Sequence, residues 1–197
     1  MSNDILDAAY WDNRYQQHQT GWDIGYPSTP LKTFIDQLSD KNARILIPGC
    51  GNGYEVEYLM QQGFQQVTVI DIAPTLTAQL ADRLHQYTGK SLNIITGDFF
   101  DHSGQYELII EQTFFSVFPP AARERYVIKM KELLAPGGIL AGVLFNKEFE
   151  GGPPFGGHIE EYIPLFRKYL HLKKMEPCYN SIQPRQGSEA FFIATND

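Results

Sequence analysis

The chain has 197 residues, enough to bury one full core and too few for a second, so a single domain over 1–197 is expected. A formal net charge of −7, with no basic cluster longer than Lys173-Lys174, argues against a nucleic-acid or anionic-membrane partner, since backbone binding needs clustered Lys and Arg. No apolar run reaches the roughly 18 residues of a membrane span, and Met-Ser-Asn-Asp at the start lacks the basic-then-apolar order of a leader. Cys50 and Cys178 lie far apart, which fits a reduced, cytoplasmic protein.

Helical and strand signals alternate along most of the chain. Thr29 as N-cap and Pro30 at the first helical position precede Leu31, Phe34, Ile35 and Leu38 at helical spacing. The first strand is Arg44–Ile47, and Val56, Leu59 and Met60 place a helix against it that Gly63 closes. Val67–Ile70 is the second strand, ending at Asp71. Pro74 opens a helix marked by Leu76, Leu80, Leu84 and Tyr87 and ending at Gly89. Leu92–Ile95 and Tyr106–Ile110 are the next two strands. Val127, Met130 and Leu134 mark a helix that stops at Pro136-Gly137-Gly138, and Ile139–Phe145 is the fifth strand. After a Gly/Pro-rich loop, Glu150–Gly157, a helical stripe runs Ile159, Tyr162, Ile163, Phe166, Leu170. Leu170–Met175 and Ala190–Thr195 follow with no room for a helix between them, so they pair antiparallel. The expected fold is α/β, Rossmann-like, of the class I methyltransferase kind: a seven-stranded, mostly parallel sheet with a C-terminal antiparallel hairpin and helices on both faces.

Chemistry concentrates where the first strand ends. Ile45–Glu55 runs from an apolar strand into Gly49, Gly51 and Gly53 and then into a helix, so a flat cofactor can lie against backbone that carries no Cβ. Glu55 and Glu57 occupy the first turn of that helix, where a pyrophosphate would need the positive end to itself. Acids there suit a ligand bearing an ammonium and a sulfonium, which is S-adenosylmethionine. A dinucleotide enzyme would carry a third glycine where Tyr54 stands. Asp71, followed by Ile72, lies about 20 residues after the turn, where an acid accepts both ribose hydroxyls; the lesser alternative is a cap on the helix at Pro74. Asp98 with Phe99 suits the adenine amine and ring. Trp11, Tyr15 and Trp22, ahead of the core, form either a lid whose rings attract a sulfonium or a hydrophobic latch. The five histidines show no metal-ligand spacing, so no metal is expected.

The ordered segments Trp11-x3-Tyr15-x6-Trp22-Asp23-x-Gly25, Pro48-Gly49-Cys50-Gly51-x-Gly53, Gly97-Asp98-Phe99-Phe100, Phe118-Pro119-Pro120-x2-Arg123 and Gly151-Gly152-Pro153-Pro154-Phe155 resemble the thiopurine S-methyltransferase superfamily, and within it the halide/thiol methyltransferase branch. The resemblance covers Trp11 to the C-terminus. It implies S-adenosylmethionine contacts at Trp11, Tyr15, Trp22, Gly49, Gly51, Asp71, Ile72, Asp98, Phe99 and Gln112, with S-adenosylhomocysteine as product. It places a small-molecule acceptor between a lid segment (1–29), Arg123 and a loop at about 146–162 of the core (30–197), with Tyr162 beside the acceptor anion. Tyr15 stands where those relatives carry tryptophan, and Gln112 where they carry tyrosine. Without the resemblance, Arg123 also reads as an exposed helix charge and Tyr162 as core packing. The implied reaction is methyl transfer to a thiol, hydrosulfide or halide by a monomer. The alternatives are an aryl-thiol or thiopurine acceptor, an NAD(P) enzyme, or a non-catalytic S-adenosylmethionine binder.

Overall fold

A computed structural model describes residues 7–197; the first six residues of the 1–29 segment lie outside the described residues. Strand β1 (Arg44–Pro48) buries four of its five residues, as a strand does when both faces of its sheet are covered. Ile45 and Ile47 enter one core and Leu46 the other, following the two-residue period of a strand. In chain order the remaining elements are α1 (Ala8–Gln16), α2 (Thr29–Ile35), α3 (Tyr54–Gln61), β2 (Gln66–Asp71), α4 (Pro74–Arg83), β3 (Leu92–Thr96), β4 (Tyr106–Gln112), α5 (Arg123–Leu133), β5 (Leu134–Phe145), α6 (Ile159–Arg167), β6 (His171–Pro177) and β7 (Glu189–Thr195).

The strands form one sheet in the order β3-β2-β1-β4-β5-β7-β6. β1 to β5 are parallel, and β7 runs antiparallel to both β5 and β6. The mostly parallel sheet with its antiparallel C-terminal pair is as expected. Leu31 and Ile35 of α2, Val56 and Leu59 of α3 and Leu80 of α4 pack on one face. Tyr126, Val127 and Met130 of α5 and Tyr162 and Phe166 of α6 pack on the other. The order reverses between β1 and β4. Crossovers leave those two strands in opposite directions, so a crevice opens outside their carboxyl ends.

Several boundaries differ from the sequence reading. Ser28, not Thr29, stands at the cap of α2, which ends at Ile35 short of Leu38, and α6 ends at Arg167 short of Leu170. α1 is a regular helix with Asp7 accepting the Tyr10 N–H at 2.9 Å as its cap. It has no apolar stripe because none of its residues is fully buried. α4 ends at Arg83, leaving Tyr87 in the following turn. α5 stops at Leu133, and β5 already begins at Leu134, which pairs with Tyr106 across Pro136-Gly137-Gly138. A Cβ at Gly138 would lie 2.8 Å from the Tyr106 carbonyl oxygen, so the glycine lets the two strands close rather than ending a helix.

Candidate active site

The glycine turn sits at the β1 end of that crevice. Gly49 and Gly51 take φ of +57° and +51°, left-handed backbone that suits glycine. The Gly49 N–H donates to the Ile70 carbonyl at 2.8 Å, which fixes the turn to β2. Asp71, at the end of β2, accepts the Gly51 N–H at 3.2 Å and the Ala73 N–H at 3.1 Å. It therefore orders the approach to α4, as the capping reading expected, and also lines the cavity. Burial pushes its carboxyl above the usual range, against these backbone donors.

The cavity holds about 470 Å³. Trp11, Tyr15, Trp22, Gly49, Gly51, Asp71, Ile72, Asp98, Phe99 and Gln112 all line it. The Asp98 carboxylate accepts the Phe100 N–H at 2.8 Å and opens a short 3-10 turn, Phe99–Asp101, that presents Phe99. Gln112 Oε1 is buried without a hydrogen-bond partner, and such an acceptor calls for a donor from a ligand. At Gly49 the space a Cβ would take is filled by the Phe114 ring rather than left for a ligand; the backbone at Gly51, Asp71 and this orphan acceptor fit an adenosine bearing hydroxyl and amine donors.

The N-terminal aromatics are tied down from three sides. Trp11 and Trp22 meet edge to face at 5.6 Å, as do Tyr15 and Trp22 at 6.1 Å. Asp12 accepts the Thr75 N–H at 2.7 Å and its hydroxyl at 2.9 Å, clasping α1 to the start of α4. Arg185 donates to the Trp22 carbonyl at 2.6 Å while paired to Glu189 at 3.2 Å. Asp23 accepts from Asn52 and from the Tyr54 hydroxyl. The segment is thus latched to the core, and its rings line the cavity.

Asp23, Glu55, Asp71 and Asp98 give this wall four carboxylates, against the lone guanidinium of Arg125 among the described residues. Glu55 accepts the Ser28 N–H at 2.8 Å and is pushed up by burial. Glu57 instead turns away to Arg83 at 3.5 Å, so one of the two helix-start acids faces the cavity. Cys50 is a free, buried thiol whose pKa burial drives well upward, which removes it as a nucleophile.

At the other end the wall is Phe114, Phe118, Phe145, Pro153 and Pro154. Phe99, Phe100, Phe114 and Phe118 close into a ring of edge-to-face contacts at 5.0–5.4 Å. Arg123 and Tyr162 lie behind this wall rather than on it. Arg123 is 3% exposed, so the exposed-charge reading does not hold. Its guanidinium donates to the carbonyls of Phe155 (3.2 Å) and Gly156 (2.6 Å), lies over the Phe115 and Tyr162 rings, and leaves Nε unpartnered. Tyr162 packs in the core and donates its hydroxyl to the Phe145 carbonyl at 3.1 Å; burial pushes its pKa up to about 12. Sequence reasoning missed Arg125, 3.8 Å over the Phe100 ring, and Phe114. The Phe114-Phe115 pair after β4 was the available signal for the latter.

Among the described residues no His/Cys/Asp/Glu group could hold a metal ion, and no helix is long and apolar enough to cross a membrane. Residues 6–194 match the family model described as thiopurine S-methyltransferase. A probable thiol methyltransferase 2 of Arabidopsis thaliana is 30% identical, over 91% of this chain and 81% of that protein. A thiocyanate methyltransferase 1 of Brassica oleracea is 27% identical, over 94% and 84%. Among solved structures, the Burkholderia thailandensis 1,6-didemethyltoxoflavin-N1-methyltransferase, crystallised with 1,6-didemethyltoxoflavin and S-adenosylhomocysteine, superposes with a TM-score of 0.74 at 18% identity, over 95% of this chain and 86% of that one. The carboxylate-lined glycine crevice and these likenesses lead to one statement: the chain belongs to the thiopurine S-methyltransferase family of S-adenosylmethionine-dependent methyltransferases.

Proposed function

We propose that the protein methylates a small, soft nucleophile that arrives already ionised: a thiolate, a hydrosulfide or a halide. The observation that carries this is the division of the cavity wall. Its carboxylates stand on the glycine-turn, β2, β3 and N-terminal elements, while Phe114, Phe118, Phe145, Pro153 and Pro154 make up the far end. No histidine or lysine stands on the described wall; His102 is turned to the Tyr106 hydroxyl at 2.8 Å and His158 to Glu148 at 3.3 Å. The four carboxylates of the wall are each engaged by the chain's own donors: Asp23 by Asn52 and Tyr54, Glu55 by Ser28, Asp71 by Gly51 and Ala73, and Asp98 by Phe100. A neutral alcohol or amine would need a free, positioned base, whereas a preformed anion does not.

Bound S-adenosylmethionine supplies a methyl group already activated by the sulfonium charge. The residues of this chain do the rest by position. Asp71 and Ile72 receive the ribose, Asp98 and Phe99 the adenine, and Gly49, Gly51 and Gln112 flank the cofactor's length. Trp11, Tyr15 and Trp22 cover it and exclude water, and their faces favour the cation. Arg123 is a buried cation that, among the described residues, donates to the Phe155 and Gly156 carbonyls and to no carboxylate. Its field reaches the acceptor end through the Pro153–Gly157 loop and favours an anion there. Tyr162 holds Phe145, and with it the apolar wall, in place. An aromatic chamber suits polarizable anions, whose desolvation is less costly than that of hard oxyanions. The thiol and thiocyanate methyltransferases among the relatives support this acceptor class.

The same reading has the protein act as a monomer in the cytoplasm, without nucleic acid. The net charge of −7 and two free cysteines support it. The test is S-adenosylhomocysteine release with iodide, hydrosulfide, thiocyanate and an aryl thiol offered separately. Turnover of the small anions is expected. Turnover of the aryl thiol alone would replace this acceptor class by a thiopurine-like one.

A further inference from the structure

The turn that follows β4 is built with unusual care for a surface connection. Thr113 has φ +56°, left-handed backbone that a β-branched residue keeps only when its surroundings impose it. Its N–H donates to the Val143 carbonyl at 3.1 Å, and its carbonyl accepts the Ser116 N–H at 3.1 Å. Beneath the turn lies Glu111, fully buried, with Oε1 accepting the Phe115 N–H at 3.1 Å and Oε2 accepting the Tyr126 hydroxyl of α5. Room for this carboxylate comes from Gly142 of β5, where a Cβ would lie 2.5 Å from Glu111 Cβ. From above, the Phe155 N–H donates to the Ser116 carbonyl at 2.7 Å and docks the Gly/Pro loop on the same turn.

What the turn presents is Phe114. Its ring fills the space a Cβ at Gly49 would take, with Cδ2 nearest, and it meets Phe99 at 5.4 Å and Phe118 at 5.0 Å. One ring therefore touches the cofactor's glycine wall on one side and the apolar acceptor wall on the other. We propose that Phe114 sets the upper size of the acceptor and that Glu111 is the positioning residue that holds it there. This rests on the acceptor reading above and deepens it: the phenyl ring occupies the room that an aryl thiol would need beside the reacting carbon, and leaves room for an anion of a few atoms. Removing the ring converts the far end of the cavity into an aryl-sized pocket, at the cost of the alignment of small anions.

The experiment uses the full chain as wild type, Phe114→Ala and Phe114→Leu, with Leu as the variant that keeps most of the packing. Thiophenol is titrated by calorimetry into each S-adenosylhomocysteine complex, and hydrosulfide turnover is measured alongside. Phe114→Ala is expected to bind thiophenol at least tenfold more tightly than wild type, with Leu between them, while hydrosulfide kcat/KM falls at least tenfold. Glu111→Ala is expected to move the same ratio in the same direction, and Glu111→Gln, which keeps an acceptor and a donor for Phe115 and Tyr126, to restore it. Equal thiophenol affinity in wild type and Phe114→Ala, or thiophenol affinity that falls together with hydrosulfide turnover, would overturn the proposal. Wild type that turns over no small anion would sink the acceptor reading, and the thiophenol comparison would still decide the role of Phe114.

Discussion

At pH 5 the Glu111 carboxyl of the folded protein carries its proton; at pH 8 it is a carboxylate sealed under the Thr113–Val117 turn. Burial raises its pKa from 4.5 to about 7, and the hydrogen bonds from Tyr126 and Phe115 only partly offset this. The folded state therefore holds the proton more tightly than the unfolded chain does. For an acid with a raised folded pKa, stability is greatest below the unfolded value and declines as pH rises through the window from 4.5 to about 7, then levels off. A rise of this size corresponds to about 3 kcal/mol lost across that window. Glu111→Gln does not titrate and can still accept from Phe115. The stability of wild type relative to Glu111→Gln, measured from urea midpoints at pH 5, 6, 7 and 8, should thus fall by about 3 kcal/mol toward high pH. The comparison with the variant cancels the contributions of Glu55 and Asp71, which burial also pushes up. A difference between the two proteins that stays constant with pH would refute the placement of a titrating carboxyl under the turn.

Three further outcomes are expected. Asp71→Ala should weaken S-adenosylmethionine binding by about 1–3 kcal/mol through lost charge-assisted hydrogen bonds, and unchanged affinity in calorimetry would remove Asp71 from the ribose role. Tyr162→Phe leaves the Phe145 carbonyl without its buried donor, so it should lower stability by about 1–3 kcal/mol and leave cofactor affinity intact. A hundredfold loss of turnover with unchanged stability would instead put its hydroxyl on the acceptor. Asp12→Ala breaks the clasp to Thr75 and should speed amide exchange in residues 8–16 about tenfold; exchange at the wild-type rate would mean the clasp does not hold α1.

The sheet was legible because its strands are apolar on both faces and its helices carry apolar stripes, as Val67–Ile70 in β2 and Leu31, Phe34 and Ile35 in α2 show. α1 was not, because its large side chains Trp11 and Tyr15 face a cavity instead of the core, so no stripe marks the helix. Pro136-Gly137-Gly138 looked like a helix stop and is an irregularity within β5, with Gly137 at φ +73°, between the Leu134–Tyr106 pair and the regular pairing that resumes at Ile139. Of the residues lining the cavity, Gly49, Gly51 and Asp71 were marked by spacing and Trp11, Tyr15 and Trp22 by their place ahead of the core; Arg123, marked by resemblance, lies behind the wall. Glu111 and Phe114 left no such mark. A buried carboxylate inside a strand reads as a solvent-facing residue until Tyr126, fifteen residues on, is brought beneath it.

The central claim is that the acceptor, and not the enzyme, supplies the negative charge. The most direct measurement is kcat/KM for S-adenosylhomocysteine formation with a series of small thiols of graded pKa, all at one pH, so that the enzyme's own titration is fixed. Thiolate fraction falls as thiol pKa rises while intrinsic nucleophilicity increases only with a slope near 0.4–0.5. A maximum is expected for thiols whose pKa lies near the assay pH, with a decline beyond it. Rates that keep rising for thiols of still higher pKa would show that a group on the protein removes the proton, and would contradict the claim.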